Sequence, residues 1–180
     1  MKLWVMLLLA GVMADSIADV STAYGPASRN HSRLDEDEKP WQEMEVEQSA
    51  FPRPENLVEF YVSAVATNKY FIDASTLTVG NDEVVRYVLV VKASGGATNV
   101  SFEGMRCKDS TWKHYATGGN DGTWTKSRAA RNEWRPIEKK PVNGYHAALS
   151  HNLFCPVGNA IRSADEGRNA LRLGKHPNAN

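Results

Sequence analysis

Hydrophobic and polar positions alternate with a period of two over most of the stretch from Leu57 to Thr117, and that period predicts strands. Leu57 to Val65 puts Val58, Phe60, Val62 and Ala64 on one side. Tyr70 to Val79 is a second β-rich segment, expected to break into two short strands near Asp73. Gly80-Asn81-Asp82 reads as a hairpin turn, since glycine and asparagine tolerate positive φ. Val84 to Ala93 then sets Val85, Tyr87, Leu89 and Val91 on one face and Arg86 and Lys92 on the other. After the Ser94-Gly95-Gly96 turn, Val100 and Phe102 oppose Asn99, Ser101 and Glu103. The second set reads as the solvent side of the sheet, and Cys107 falls on its parity. A bulge at Gly104 is therefore expected to swing Met105 and Cys107 into the core. Thr111 to Thr117 gives a further strand, followed by a glycine-rich loop.

The period then changes. Val142, Tyr145, Leu149 and Leu153 are spaced for a helix that Pro156 ends. Ser163 and Glu166 form a capping box ahead of a short helix that Gly174 closes, and the last six residues are expected to fray. Consecutive strands followed by helices predict an α+β fold: an antiparallel sheet of about five strands with C-terminal helices packed on it. There is no internal repeat.

The two ends of the chain modify this picture. Lys2, an apolar run from Leu3 to Ala14 and small residues before Asp19 make the pattern of a secretory signal peptide, expected over 1–18, with cleavage after Ala18 or, alternatively, Ala14. The run is too short to span a bilayer, and no later stretch does so, so no transmembrane segment is expected in the mature protein. A formal net charge of +0 conceals an asymmetry. Residues 19–50 carry eight acids against three bases, and residues 51–180 carry twelve acids against seventeen bases. The acidic segment 19–50 has no periodic apolar face and reads as a flexible tether lying on a basic domain. The α+β domain is expected over 51–158, with a short helix and tail over 159–180.

Cys107 and Cys155 are the only cysteines. In an oxidising compartment two thiols of one small domain usually pair, and closing a loop of that length stabilises by roughly 4 kcal/mol. The alternatives are a free buried thiol or a metal site drawing on His151, one helical turn before Cys155, and on His114. The disulfide is the expected arrangement, with no metal and no cofactor.

The stretch from Glu55 to Cys107, with its "GGATNVSFEGMRC", together with "DGTW", "EWRPIE" and "HAALSHNLFCP", resembles the CNP-like family, the cryptic neisserial protein group of bacterial envelope proteins. The resemblance covers residues 51 to about 156. It implies a bacterial, exported, periplasmic protein and supplies no activity. Both positions matching the family's cysteines, Cys107 and Cys155, are present.

Signatures of catalysis are missing: no nucleophile elbow, no phosphate-cradling loop and no paired-histidine zinc motif. No catalytic residue is assigned. Between Arg106 and Lys140, nine bases stand against four acids, with three tryptophans interleaved. Trp112, Trp124, Arg128, Arg131, Trp134 and Arg135 are the candidate ligand-binding set, because indole rings offer flat apolar area and guanidinium forks match phosphate and carboxylate. The plainer reading makes the tryptophans core under a long loop. An exported protein of zero net charge rarely meets nucleic acid, so the expected partner is an anionic envelope polymer or lipid head group, engaged by a non-catalytic module. The competing reading is a small periplasmic hydrolase with Glu103 and a histidine such as His114 as its acid–base pair.

Overall fold

The computed structural model describes residues 40–128, 132–140 and 144–179. The expected signal peptide, the tether up to residue 39, Arg131 and Val142 lie outside the described residues. Two compact units divide after Pro40, and the second carries every element below.

All strand pairs are antiparallel. In chain order the strands are β1 (Leu57–Phe60), β2 (Lys69–Asp73), β3 (Thr78–Val79), β4 (Val84–Lys92), β5 (Thr98–Arg106), β6 (Thr111–Gly118), β7 (Trp124–Lys126) and β8 (Arg135–Pro136). They form one sheet of eight strands in the order β1-β2-β4-β5-β6-β7, with β3 beside β4 and β8 beside β6. The antiparallel α+β class stands, but the count of about five does not. β2 and β3 pair with successive parts of β4, and β7 and β8 with opposite ends of β6. Pieces of two or three residues are too short to show a period, so β7 and β8 are invisible in the pattern.

The break between β2 and β3 is held by specific groups. The Asp73 carboxylate accepts from the N–H groups of Arg53 and Ser75 and from the Ser75 hydroxyl. Thr76 Oγ1 donates to the Asp73 carbonyl and accepts from Val88 N at 3.1 Å, so β4 finds a partner where the ladder lapses. At the following turn the positive φ falls on Glu83, not on glycine or asparagine. Gly80 is required for space, because a Cβ there would collide with the Asp82 carboxylate.

Two faces of the sheet are buried differently. One carries Val85, Tyr87, Leu89 and Met105 and lies under the helical segments. These are α1 (Tyr145–Ala148), which widens into a π turn over Leu149–Phe154, and α2 (Ala164–Leu173). Tyr87 packs on Phe154 with ring centroids 5.4 Å apart. Each such side chain, fully removed from water, contributes about 1.5–3 kcal/mol. The other face carries Val88, Phe102 and Ala116, with Val46, Val100, Tyr115 and Trp124 packed against them.

Cys107 bonds to Cys155, tying the end of β5 to the end of the π turn. No slip of register brings it there: β4 and β5 pair without interruption from Val84↔Arg106 to Lys92↔Thr98. The expected bulge at Gly104 is instead a shift between β5 and β6, where Tyr115 is the extra residue. The side on which Asn99, Ser101 and Glu103 lie is the helix-covered side, so Cys107 was already on the core parity.

The capping box forms as expected: Glu166 N donates to Ser163 Oγ, and Gly174 ends α2 in the left-handed region with φ 76°. The tail beyond it is pinned, not frayed. His176 is buried, its N–H donates to the Asn152 carbonyl, and its ring bonds to the Glu166 carboxylate at 3.0 Å.

Candidate functional site: a strapped basic and aromatic face

The predicted ligand-binding set, carried on β6, β7 and β8 and the residues beside them, is divided between the two faces. Trp112 pairs with Arg135 on the helix side, where the guanidinium lies 5.6 Å from the indole centroid and His146 stacks on the same ring at 3.7 Å. Trp134 is one residue out of phase and meets the opposite side, edge-on to Trp41 at 5.7 Å. Trp124 shares that side, wedged against Phe51 and Phe102, with its indole N–H buried and unpartnered. Arg128 is exposed just beyond β7.

Residues 41–50 cross the face that bears Trp134 as an extended strap without strand pairing. Its centre is Glu43. One carboxylate oxygen accepts from Lys113 Nζ at 2.6 Å and from Trp134 Nε1 at 3.3 Å, and the other from the Tyr115 hydroxyl at 2.6 Å. Trp41 lies under the Arg106 guanidinium at 4.0 Å and donates its indole N–H to the Asp82 carbonyl. Met44 N donates to the Asp82 carboxylate, which also holds the buried Arg86 through two hydrogen bonds. Val46 completes the apolar patch over Phe102.

The charges follow from these contacts. Burial drives the Asp82 pKa upward, but the Arg86 guanidinium and the N–H groups of Met44 and Val84 outweigh it and hold the carboxyl below its ordinary value. Burial pushes the Tyr115 phenol well up, and the Glu43 carboxylate beside it adds to the effect. Tyr115 is therefore a dedicated donor. Trp41 and Glu43 lie outside the expected basic stretch, and Lys113, one of its nine bases, and Tyr115 lie within it but outside the expected ligand-binding set. The one available signal was the apolar trio Trp41, Met44 and Val46 inside an acidic segment.

The opposite face holds the other polar cluster. Glu103 is 2 % exposed and so lies in the interior, not on the solvent side its parity predicts. Its carboxylate accepts from Ser101 Oγ at 2.7 Å and Tyr87 OH at 3.3 Å, and bonds His146 Nε2 at 2.8 Å. His114 stands directly across the β5/β6 ladder from it. Burial raises the Glu103 pKa, but His146, Ser101 and His114 together leave it below the ordinary value. A cavity of about 360 Å³ opens beside it, reached by Asn68, Asn99, His114 and Tyr145.

A family model matches residues 36–172, which takes in the strap, the whole sheet and most of α2. The chain belongs to the CNP1-like family. The match extends the region of resemblance at both ends, so the CNP1-like unit includes the strap as well as the sheet it crosses. Neither a curated protein nor a solved structure shows similarity to the chain. Among the described residues of this CNP1-like protein, no helix is long and apolar enough to cross a membrane, and both cysteines are taken by the disulfide.

Proposed function

We propose that this CNP1-like chain is an exported, periplasmic binding module, without catalysis, for an anionic component of the envelope. One observation carries the reading: Lys113, Tyr115 and Trp134 converge their donors on a single carboxylate, that of Glu43, over a sheet face rimmed by exposed bases. Three convergent donors in a half-dry site recognise a carboxylate or a phosphate oxygen far better than isolated surface lysines do. Lys126 and Arg128, both exposed, supply the long-range attraction that brings an anionic surface to this face.

The test is retention on phosphatidylglycerol vesicles at low salt. Lys126→Ala and Arg128→Ala are each expected to weaken binding by roughly fivefold, and added salt to abolish it. Binding that is insensitive to both substitutions and to salt would sink the proposal. The hydrolase reading rests on Glu103 and His146, 2.8 Å apart beside the cavity. Under that reading Glu103→Gln removes turnover while vesicle binding persists.

A further inference from the structure

We propose that the sheet face under the strap is a groove for an extended acidic peptide, and that residues 41–46 occupy it as a built-in ligand that such a peptide replaces. The inference rests on the binding reading above and deepens it, by naming the partner chemistry and the regulation of the same site.

The strap fits the face incompletely. It contributes no strand to the sheet, so its hold depends on Trp41, Glu43, Met44 and Val46. Space remains on both flanks: a cavity of about 490 Å³ toward Lys113, Tyr115 and Lys126, and one of about 320 Å³ toward Thr76, Thr78 and Arg86. Arg86, 7 % exposed, lines the second cavity.

The strap also shows what the face selects. It reads an aromatic ring, then a carboxylate two residues later, then an apolar side chain three residues beyond: Trp41, Glu43 and Val46. Arg106 covers the ring, Lys113, Tyr115 and Trp134 hold the carboxylate, and Phe102 receives the apolar group. An acidic peptide with that spacing makes the same contacts in trans. Its apparent affinity is reduced by the fraction of molecules whose own strap is seated.

The experiment titrates the full disulfide-bonded chain into a labelled synthetic peptide, PWQEMEVEQSA, and reads fluorescence anisotropy. Glu43→Gln in the protein weakens the strap and leaves the face intact, so it is expected to bind the peptide about tenfold more tightly than the parent chain. Met44→Pro, which deletes the N–H given to Asp82, loosens the strap by an independent route and shifts binding the same way. Adding Lys113→Met to either variant reverses the gain, and a peptide carrying Gln in place of its first Glu binds neither. Thermal unfolding of each variant identifies any that has lost its fold. Folded Glu43→Gln and Met44→Pro proteins that bind the peptide no better than the parent would overturn the groove. In that event vesicle retention still dependent on Lys126 and Arg128 leaves the binding module standing, whereas failure of both measurements removes both.

Discussion

Glu103 and Gly104 are neighbours on opposite faces of β5, and each serves a different face. Gly104 lies beneath the Tyr115 ring, and a Cβ at this position would stand 2.5 Å from the phenol oxygen and 2.8 Å from a ring carbon. Gly104→Ala therefore displaces the phenol that donates to Glu43. It is expected to lower stability by about 1–3 kcal/mol in denaturant unfolding and to loosen the strap with it. Glu103 is expected to contribute to acid sensitivity. Its folded pKa is depressed, so as pH falls the unfolded chain takes up the proton first. Its contribution is complete above about pH 4.5 and is lost as pH drops through the folded value. Glu103→Gln should give a shallower loss of stability below that pH; the remaining slope belongs to groups such as Asp82, Asp121 and Glu166, whose pKa values are also lowered. An unchanged slope in the variant would assign the acid sensitivity to groups other than Glu103.

At the scale of elements, what the pattern revealed was set by length and by what covers each face. β4 and β5, nine residues each, were legible by alternation, as were the helix capped by Ser163 and the break at Asp73. The face assignment of β5 failed because Glu103 is a buried acid, and a parity rule that takes acids as solvent-facing inverts the strand around it. Its partners Tyr87, Ser101 and His146 reconcile a carboxylate with that position, and the strongest of them, His146, is distant in sequence. The strap was illegible for a related reason. An acidic segment without a period has the composition of a tether. What fixes it is a set of donors about 70 to 91 residues further along the chain. The tryptophans group together in the sequence, yet Trp112 on β6 lies on one face and Trp124 on β7 and Trp134 before β8 on the other, which no count of bases and rings between Arg106 and Lys140 can show.

For the molecule as a whole, the acidic and basic parts of the chain meet at Glu43 and Lys113, so part of the charge asymmetry is consumed internally. The disulfide encloses one side of that meeting. The segment between Cys107 and Cys155 contains Lys113, Tyr115 and Trp134, all three donors to Glu43, and also His146, the partner of Glu103. Opening the bridge with a thiol reductant is expected to release the strap and the Glu103 pair together, seen as a change in tryptophan emission that tracks thiol release. Emission unchanged in fully reduced protein would show that the loop holds its shape without the bond. If the strap and the groove proposed beneath it both depend on the bond, the redox poise of the surroundings acts as a licence: a chain still among reducing thiols is expected to lack both, and competence to bind is expected only where the two sulfurs are oxidised.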